Sequence, residues 1–289
     1  MRGRRCLQRA AQTRDHRLMK SILAFRRFRA LTAFRMTVLA TATLLCGCGQ
    51  ASQGIASHDV VFENVHYRVV TVDLAKADLG LHWRDPATGE PFASIRALQQ
   101  WGTSHHRQLL FAANSGIYDA RGEPLGLYVE NGKTLKPLNT VHGDPVAGNF
   151  SLLPNGVFAI DANGHASVQT TADFAAAHAQ PRWATQSGPM LVIDGKINPE
   201  FVADSDSIKW RSGVCARRPD EAVFVVSTAP VNFHAFAMLF RDKLGCRNAL
   251  YLDGTLSQIY VDGNYYGAPA FMVKPYAGMF TVFAPVNRD

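Results

Sequence analysis

Charge is scarce in this chain of 289 residues: only 18% are charged, against 47% hydrophobic. That balance excludes long disordered polyelectrolyte stretches and supplies enough apolar surface for one large domain or two small ones. No phosphate-binding P-loop pattern appears, and no Gly-x-Ser-x-Gly accompanies Ser187 or any other serine to mark a hydrolase triad. No Cys/His spacing suggests structural zinc, so no metal is expected. His105-His106 follows a helical stretch and reads as solvent-facing. After about residue 56 there is neither an internal repeat nor a low-complexity linker.

The formal charge of +7 is unevenly spread. Eleven of the 30 Lys and Arg, but one of the 23 acids, Asp15, fall between Met1 and Arg35, which leaves 19 basic against 22 acidic residues beyond. The basic isoelectric point therefore belongs to the N-terminal segment. Nucleic acid is not expected as a partner, because no basic-aromatic stripe remains in the rest.

That segment reads as an export leader. Basic residues, including Arg26, Arg27, Arg29 and Arg35, precede the apolar run Met36 to Leu45, which is too short to span a bilayer as a mature helix. Leu45-Cys46-Gly47-Cys48 then resembles a lipobox with Cys48 as the lipid-accepting residue. A plain signal peptide cut a few residues later fits the same pattern, Met19 opens a more typical leader, and a buried first helix is the bland alternative. The expected organisation is a leader over 1–48, a flexible tether over 49–58 and one domain over 59–289. The protein is expected to be exported, periplasmic or membrane-anchored, touching membrane through the leader or its lipid only. Cys215 and Cys246 then remain, either as one disulfide or as two separately buried thiols.

The expected class is α+β, with mixed or antiparallel layered sheets flanked by a few helices. His66 to Leu74, Leu109 to Ala113, Ala222 to Val226, Ala249 to Leu252 and Ser257 to Val261 have strand character. Asn131-Gly132, Pro154-Asn155-Gly156, Asp161 to Gly164, Asp194-Gly195 and Asp262-Gly263 supply turns, a density that favours antiparallel pairing. A helix is expected from Pro91 through Trp101, with Ile95, Leu98 and Trp101 on one face. Another is expected across Val231 to Leu244, ended by Gly245.

Four segments place polar residues at the ends of apolar strands, where scaffolds commonly present functional groups. They are Asn114-Ser115-Gly116-Ile117, Ser187-Gly188-Pro189, Arg211-Ser212-Gly213-Val214 and Leu252-Asp253-Gly254-Thr255-Leu256-Ser257. An amide can orient a substrate hydroxyl and a guanidinium can hold a phosphate. A carboxylate ending a buried strand costs solvation unless it has partners or a task. Each segment alone is also compatible with an ordinary turn. In order and approximate spacing the four resemble the phosphodiester glycosidase family, uncovering-enzyme-like, over about residues 60 to 285. Three departures accompany the resemblance: Ser115 replaces a glycine, the second motif is one glycine short, and Thr255-Leu256 replaces two glycines, with Leu256 bulky where the family leaves room for a ligand.

The resemblance implies hydrolysis of a sugar-1-phosphodiester in cell-envelope glycans or glycolipids, without a cofactor, though a divalent cation is not excluded. In that reading Arg211 holds the phosphate and Asp253 stabilises the anomeric centre or activates water. Asn114, Ser187 and Ser257 bind substrate, and Gly116, Gly188 and Gly254 leave space for backbone contacts. Glu123 and Asp144 are the weak candidates for a second carboxylate. The alternative is a non-catalytic glycan-binding protein on the same fold, which Leu256 favours.

Overall fold

Three antiparallel sheets share one core. The computed structural model describes residues 53–141, 145–254, 256–272 and 274–285. The leader, Cys48, the first four residues of the expected tether, Asp144 and Thr255 lie outside them. The first sheet has seven strands, in the order Ile55–Phe62, Val65–Asp73, Glu221–Ser227, Arg211–Arg218, Ala249–Gly254, Met190–Ile193, Lys196–Ile197. The second runs Asn264–Gly267, Gln258–Val261, Leu109–Asn114, Met279–Phe283, Leu79–His82. The third runs Lys133–Lys136, Tyr128–Glu130, Trp183–Ser187, Gly156–Ile160, Ala166–Thr170. Every pairing among these strands is antiparallel, as the turn density leads one to expect.

Four buried phenylalanines mark where the sheets meet. Phe224 of the first sheet lies 4.9 Å from Phe111 and 4.9 Å from Phe280 of the second, and 6.1 Å from Phe158 of the third, centroid to centroid. Phe158 and Phe280 close the set edge to face at 5.3 Å, a geometry that favours aromatic pairs beyond simple burial.

Each sheet's outer face carries a short helix. Phe233–Met238, continued as a π-turn over Leu239–Lys243, covers the first sheet. Ile95–Ser104 covers the second through Ile95 and Leu98, which pack with Leu109, Ala112 and Met279. Thr171–Ala176 covers the third through Phe174.

Several local expectations shift. The helix expected from Pro91 begins at Ile95, because Ser94 caps it by accepting from the Ala97 N–H at 3.1 Å; Pro91 instead bridges to Arg84. The single helix expected across Val231 to Leu244 starts after Asn232, whose Oδ1 accepts from the Ala235 N–H, and widens into the π-turn. Gly245 follows it at φ 69°, as a helix end requires. Four residues of the expected tether, 55–58, are strand, because Ile55 pairs with Val72 and the ladder runs on to Phe62 and Val65. Helix Thr171–Ala176 had no apolar periodicity to announce it, being six residues long. Cys215 and Cys246 form a disulfide across a sequence separation of 31 residues, tying strand Arg211–Arg218 to the segment after the π-turn.

Phe224→Ala should lower unfolding free energy by about 3–5 kcal/mol in a denaturant titration, since its cavity opens onto all three sheets. Reducing the disulfide should cost about 2–4 kcal/mol in the same titration, mainly through the freed loop.

Candidate active site

Strand pairing decides where the motif residues go. In the first sheet Ser212 sits opposite Asp253 and Arg211 opposite Gly254. Arg211–Arg218 therefore begins where Ala249–Gly254 ends, and the guanidinium-bearing and carboxyl-bearing segments share one sheet end. Leu109–Asn114 of the second sheet and Trp183–Ser187 of the third finish at the same place. The Ser212 hydroxyl donates to Asn114 Oδ1 at 3.1 Å, the Ser187 hydroxyl to the Leu252 carbonyl at 3.3 Å, and the Thr185 hydroxyl to the Ser115 carbonyl at 2.9 Å. These three bonds join each sheet to the other two.

The structure thus brings together Asn114, Ser187, Ser212, Asp253 and their glycines, but uses many of them differently from the expectation. Ser187 is fully buried and committed to Leu252. The Ser257 hydroxyl, also fully buried, donates to the Asp253 carbonyl at 2.8 Å and closes the turn. Gly188 and Gly254 leave room for protein atoms rather than for a ligand: a Cβ at Gly188 would collide with Asn155 Oδ1, and one at Gly254 with the Tyr251 hydroxyl. A Cβ at Gly116 would press on Thr185 and Ser187 at 3.3 Å.

Arg211 is the largest departure. It is 0% exposed. Its Nε donates to the Val231 carbonyl at 2.7 Å, Nη2 to the Ser207 carbonyl at 2.7 Å and Nη1 to the Tyr251 hydroxyl at 3.4 Å, while Phe233 covers its face at 3.6 Å. Strand alternation explains this: adjacent residues point to opposite faces, so Ser212 faces Asn114 while Arg211 turns toward the helix-covered face. The phosphate-holding role is therefore revised. Arg211 pins the Ser207 and Val231 segments and orients Tyr251, whose hydroxyl also accepts from Asn149 Nδ2 at 3.3 Å. Tyr251 escapes sequence reading because it sits inside an apolar strand.

Among the described residues, the buried polar atoms without partners include Asn114 Nδ2 and Asp253 Oδ2. The Ser212 bond and the Ser212–Asp253 pairing put them on adjoining strand ends. Asp253 Oδ1 accepts from the Gly254 N–H at 2.6 Å. Among the described residues Asp253 has no ionic partner, and burial pushes its carboxyl up to about 7 against that one hydrogen bond. Its charge in turn raises Tyr118, Tyr251 and Tyr276, which are already raised by burial. A carboxyl that titrates near neutrality can take a proton from water, and the amide N–H groups of Asn114 can hold a hydroxyl or anionic oxygen beside it.

Glu123 has another task. It takes the Lys136 ammonium at 2.8 Å, which holds its carboxyl below the usual range. Leu256 does not stand as a plug: it packs against the cluster of Phe92, Ile95, Leu98 and Tyr276, and its carbonyl accepts from the Tyr276 hydroxyl at 2.8 Å. Among the described residues no three His, Cys, Asp or Glu side chains gather as a metal set.

Comparison with known proteins gives the following. A family model described as phosphodiester glycosidase matches residues 107–283. The Escherichia coli (strain K12) protein YigE, described as uncharacterized, is 36% identical over 212 residues, covering 73% of this chain and 80% of that protein. Among solved structures, the zebrafish N-acetylglucosamine-1-phosphodiester alpha-N-acetylglucosaminidase catalytic domain, auto-inhibited by its pro-peptide, aligns with a TM-score of 0.55 and 14% identity, covering 80% of this chain and 82% of that one. A hypothetical protein from Synechocystis aligns with a TM-score of 0.52 and 14% identity, covering 80% and 62% respectively. The two structural likenesses speak to the fold alone.

The raised Asp253 pKa has a consequence for stability. Its folded value, about 7, lies above the ordinary 3.8, so the fold binds this proton more tightly than the unfolded chain does. The associated stability is complete below about pH 4 and is lost as pH climbs to about 7. Asp253→Asn should therefore raise unfolding free energy at pH 8, by on the order of 2–4 kcal/mol, relative to its effect at pH 4. Denaturant midpoints of both proteins at the two pH values check this, and an equal shift at each pH would contradict it.

Proposed function

Because this chain belongs to the phosphodiester glycosidase family, we propose that it hydrolyses the bond between a sugar's anomeric carbon and a phosphodiester oxygen. The substrate is a cell-envelope glycan or glycolipid, and the protein works as an exported one that touches membrane only through its leader or lipid. The observation that carries the reading is Asp253 Oδ2, a buried acceptor without a partner among the described residues, on a strand end adjoining that of the likewise unpartnered Asn114 amide. The zebrafish enzyme's name states action on an N-acetylglucosamine-1-phosphodiester; at 14% identity it lends this proposal a fold and not a choice of sugar.

In the proposed reaction the anomeric C–O bond breaks and the phosphate oxygen leaves with the electron pair. The sugar passes through an oxocarbenium-like state. Water adds to the anomeric carbon, its proton passing to the Asp253 carboxylate. The products are the free sugar and a phosphomonoester. Phosphate is a good leaving group, so one carboxyl suffices where ordinary glycosidases use two. Asn114 Nδ2 holds an oxygen of the substrate, Arg211 acts at one remove by fixing Tyr251, and the strand end that carries Asp253 is partly exposed. Leu256, the departure that pointed to the non-catalytic alternative, packs on its own cluster.

Asp253→Asn should lower kcat/KM on a sugar-1-phosphodiester by at least about a thousandfold. The wild-type rate should fall below pH about 7, where Asp253 becomes protonated, and the residual rate of the variant should lack that inflection. Unchanged turnover in the variant would refute the assignment.

A further inference from the structure

A groove of about 520 Å³ runs between the exposed side of helix Ile95–Ser104 and the edge strand Asn264–Gly267. Its lining is Arg96, Gln99, Gln100, Thr103, Ser104 and Tyr265. None of these residues is part of the site described above. Tyr265 is 40% exposed and leans on Tyr260 at 5.1 Å between ring centroids. Tyr260 is fixed in turn, because its hydroxyl accepts from Gln99 Nε2 at 3.0 Å. One ring is thus presented to solvent on a braced support. Around it stand groups of complementary kinds. Arg96 and the Gln100 amide carry donors. The Thr103 and Ser104 hydroxyls donate to the Gln99 and Trp101 carbonyls at 3.0 and 2.8 Å, so what they offer a ligand is their lone pairs.

A buried layer lies between the groove and the Asp253 site. Tyr260 and Tyr276 belong to one hydrophobic cluster against which Leu256 packs. The Tyr276 hydroxyl bonds the Leu256 carbonyl, three residues past Asp253. Tyr276 also lies within electrostatic reach of Asp253, Tyr118 and Tyr265 together. Buried Tyr276 and Tyr260 therefore stand between the carboxyl and the exposed ring.

We propose that this groove is a second saccharide subsite, taking a sugar unit of a longer glycan whose phosphodiester-linked sugar lies at Asp253. A pyranose has an apolar C–H face that suits an aromatic ring and an equatorial rim of hydroxyls that need donors and acceptors side by side. Tyr265 and its polar surround meet both needs, whereas a lipid chain would find no apolar trough there. The inference deepens the hydrolytic reading by making the substrate an oligosaccharide or polysaccharide rather than an isolated sugar.

The test is a binding measurement that needs no turnover. Neutral tetrasaccharides, namely chitotetraose, cellotetraose and maltotetraose, are titrated against the full chain by calorimetry and saturation-transfer NMR. At least one should bind with Kd below about 10 mM, the weak affinity fitting for an open groove. Tyr265→Ala should weaken that binding at least about tenfold, and Tyr265→Phe should retain it, since the ring is what counts. Asp253→Asn should bind as the wild type does, so loss of hydrolysis and loss of this subsite register separately. No tetrasaccharide bound below about 10 mM, or binding indifferent to Tyr265→Ala, would overturn the proposal.

Discussion

The hydroxyl of Ser212, donating to Asn114 Oδ1, holds the first sheet to the second at the point where the chemistry is placed. Ser187 and Thr185 complete the stitching to the third sheet. A hydrogen bond of this kind adds only about 1 kcal/mol to stability; its importance here is directional. The phenylalanine cluster brings the sheets together without fixing their register, because burial has no preferred direction. The hydroxyl bonds at the strand ends supply it. They also commit several of the polar atoms in the neighbourhood, while Asn114 Nδ2 and Asp253 Oδ2 are among those without a partner among the described residues.

Arg211 and Asp253 illustrate how one sheet end separates two roles. Residues directly opposite in an antiparallel pair share a face, and neighbours along a strand do not. Asp253 is opposite Ser212, so it shares the face that meets the second sheet. Arg211 is opposite Gly254 and turns to the helix-covered side, where carbonyls and aromatic rings receive it. Burying the charge there without a carboxylate depresses the guanidinium pKa through desolvation, and the carbonyl and hydroxyl bonds offset part of that cost. Tyr251 connects the two roles, since it accepts from Arg211 and feels the Asp253 charge.

The glycines of the motifs are explained by the same crowding. Gly188 and Gly254 lie against Asn155 and Tyr251, so their small size lets supporting side chains reach the strand ends. A reader of the sequence sees the same glycines and infers space for substrate. Both inferences rest on a missing Cβ; only the neighbours tell which atom fills the gap. Leu256 is the converse case. It looked like an obstruction along the chain, yet folding directs its side chain into the layer under helix Ile95–Ser104.

The sequence by itself determined the antiparallel sheet-rich class, most strand and turn positions, and the four polar segments at strand ends, because alternation, Asn-Gly and Asp-Gly turns and apolar runs are local signals. It also marked Asp253 as anomalous, a carboxylate at the end of a buried run. Tertiary structure alone decided that Cys215 meets Cys246, that Arg211 turns inward as a support, and that Tyr251, Ser212 and Tyr276 surround the carboxyl. Those outcomes depend on which strands pair and on which face each residue falls, and pairing is a long-range choice that no window of the chain contains.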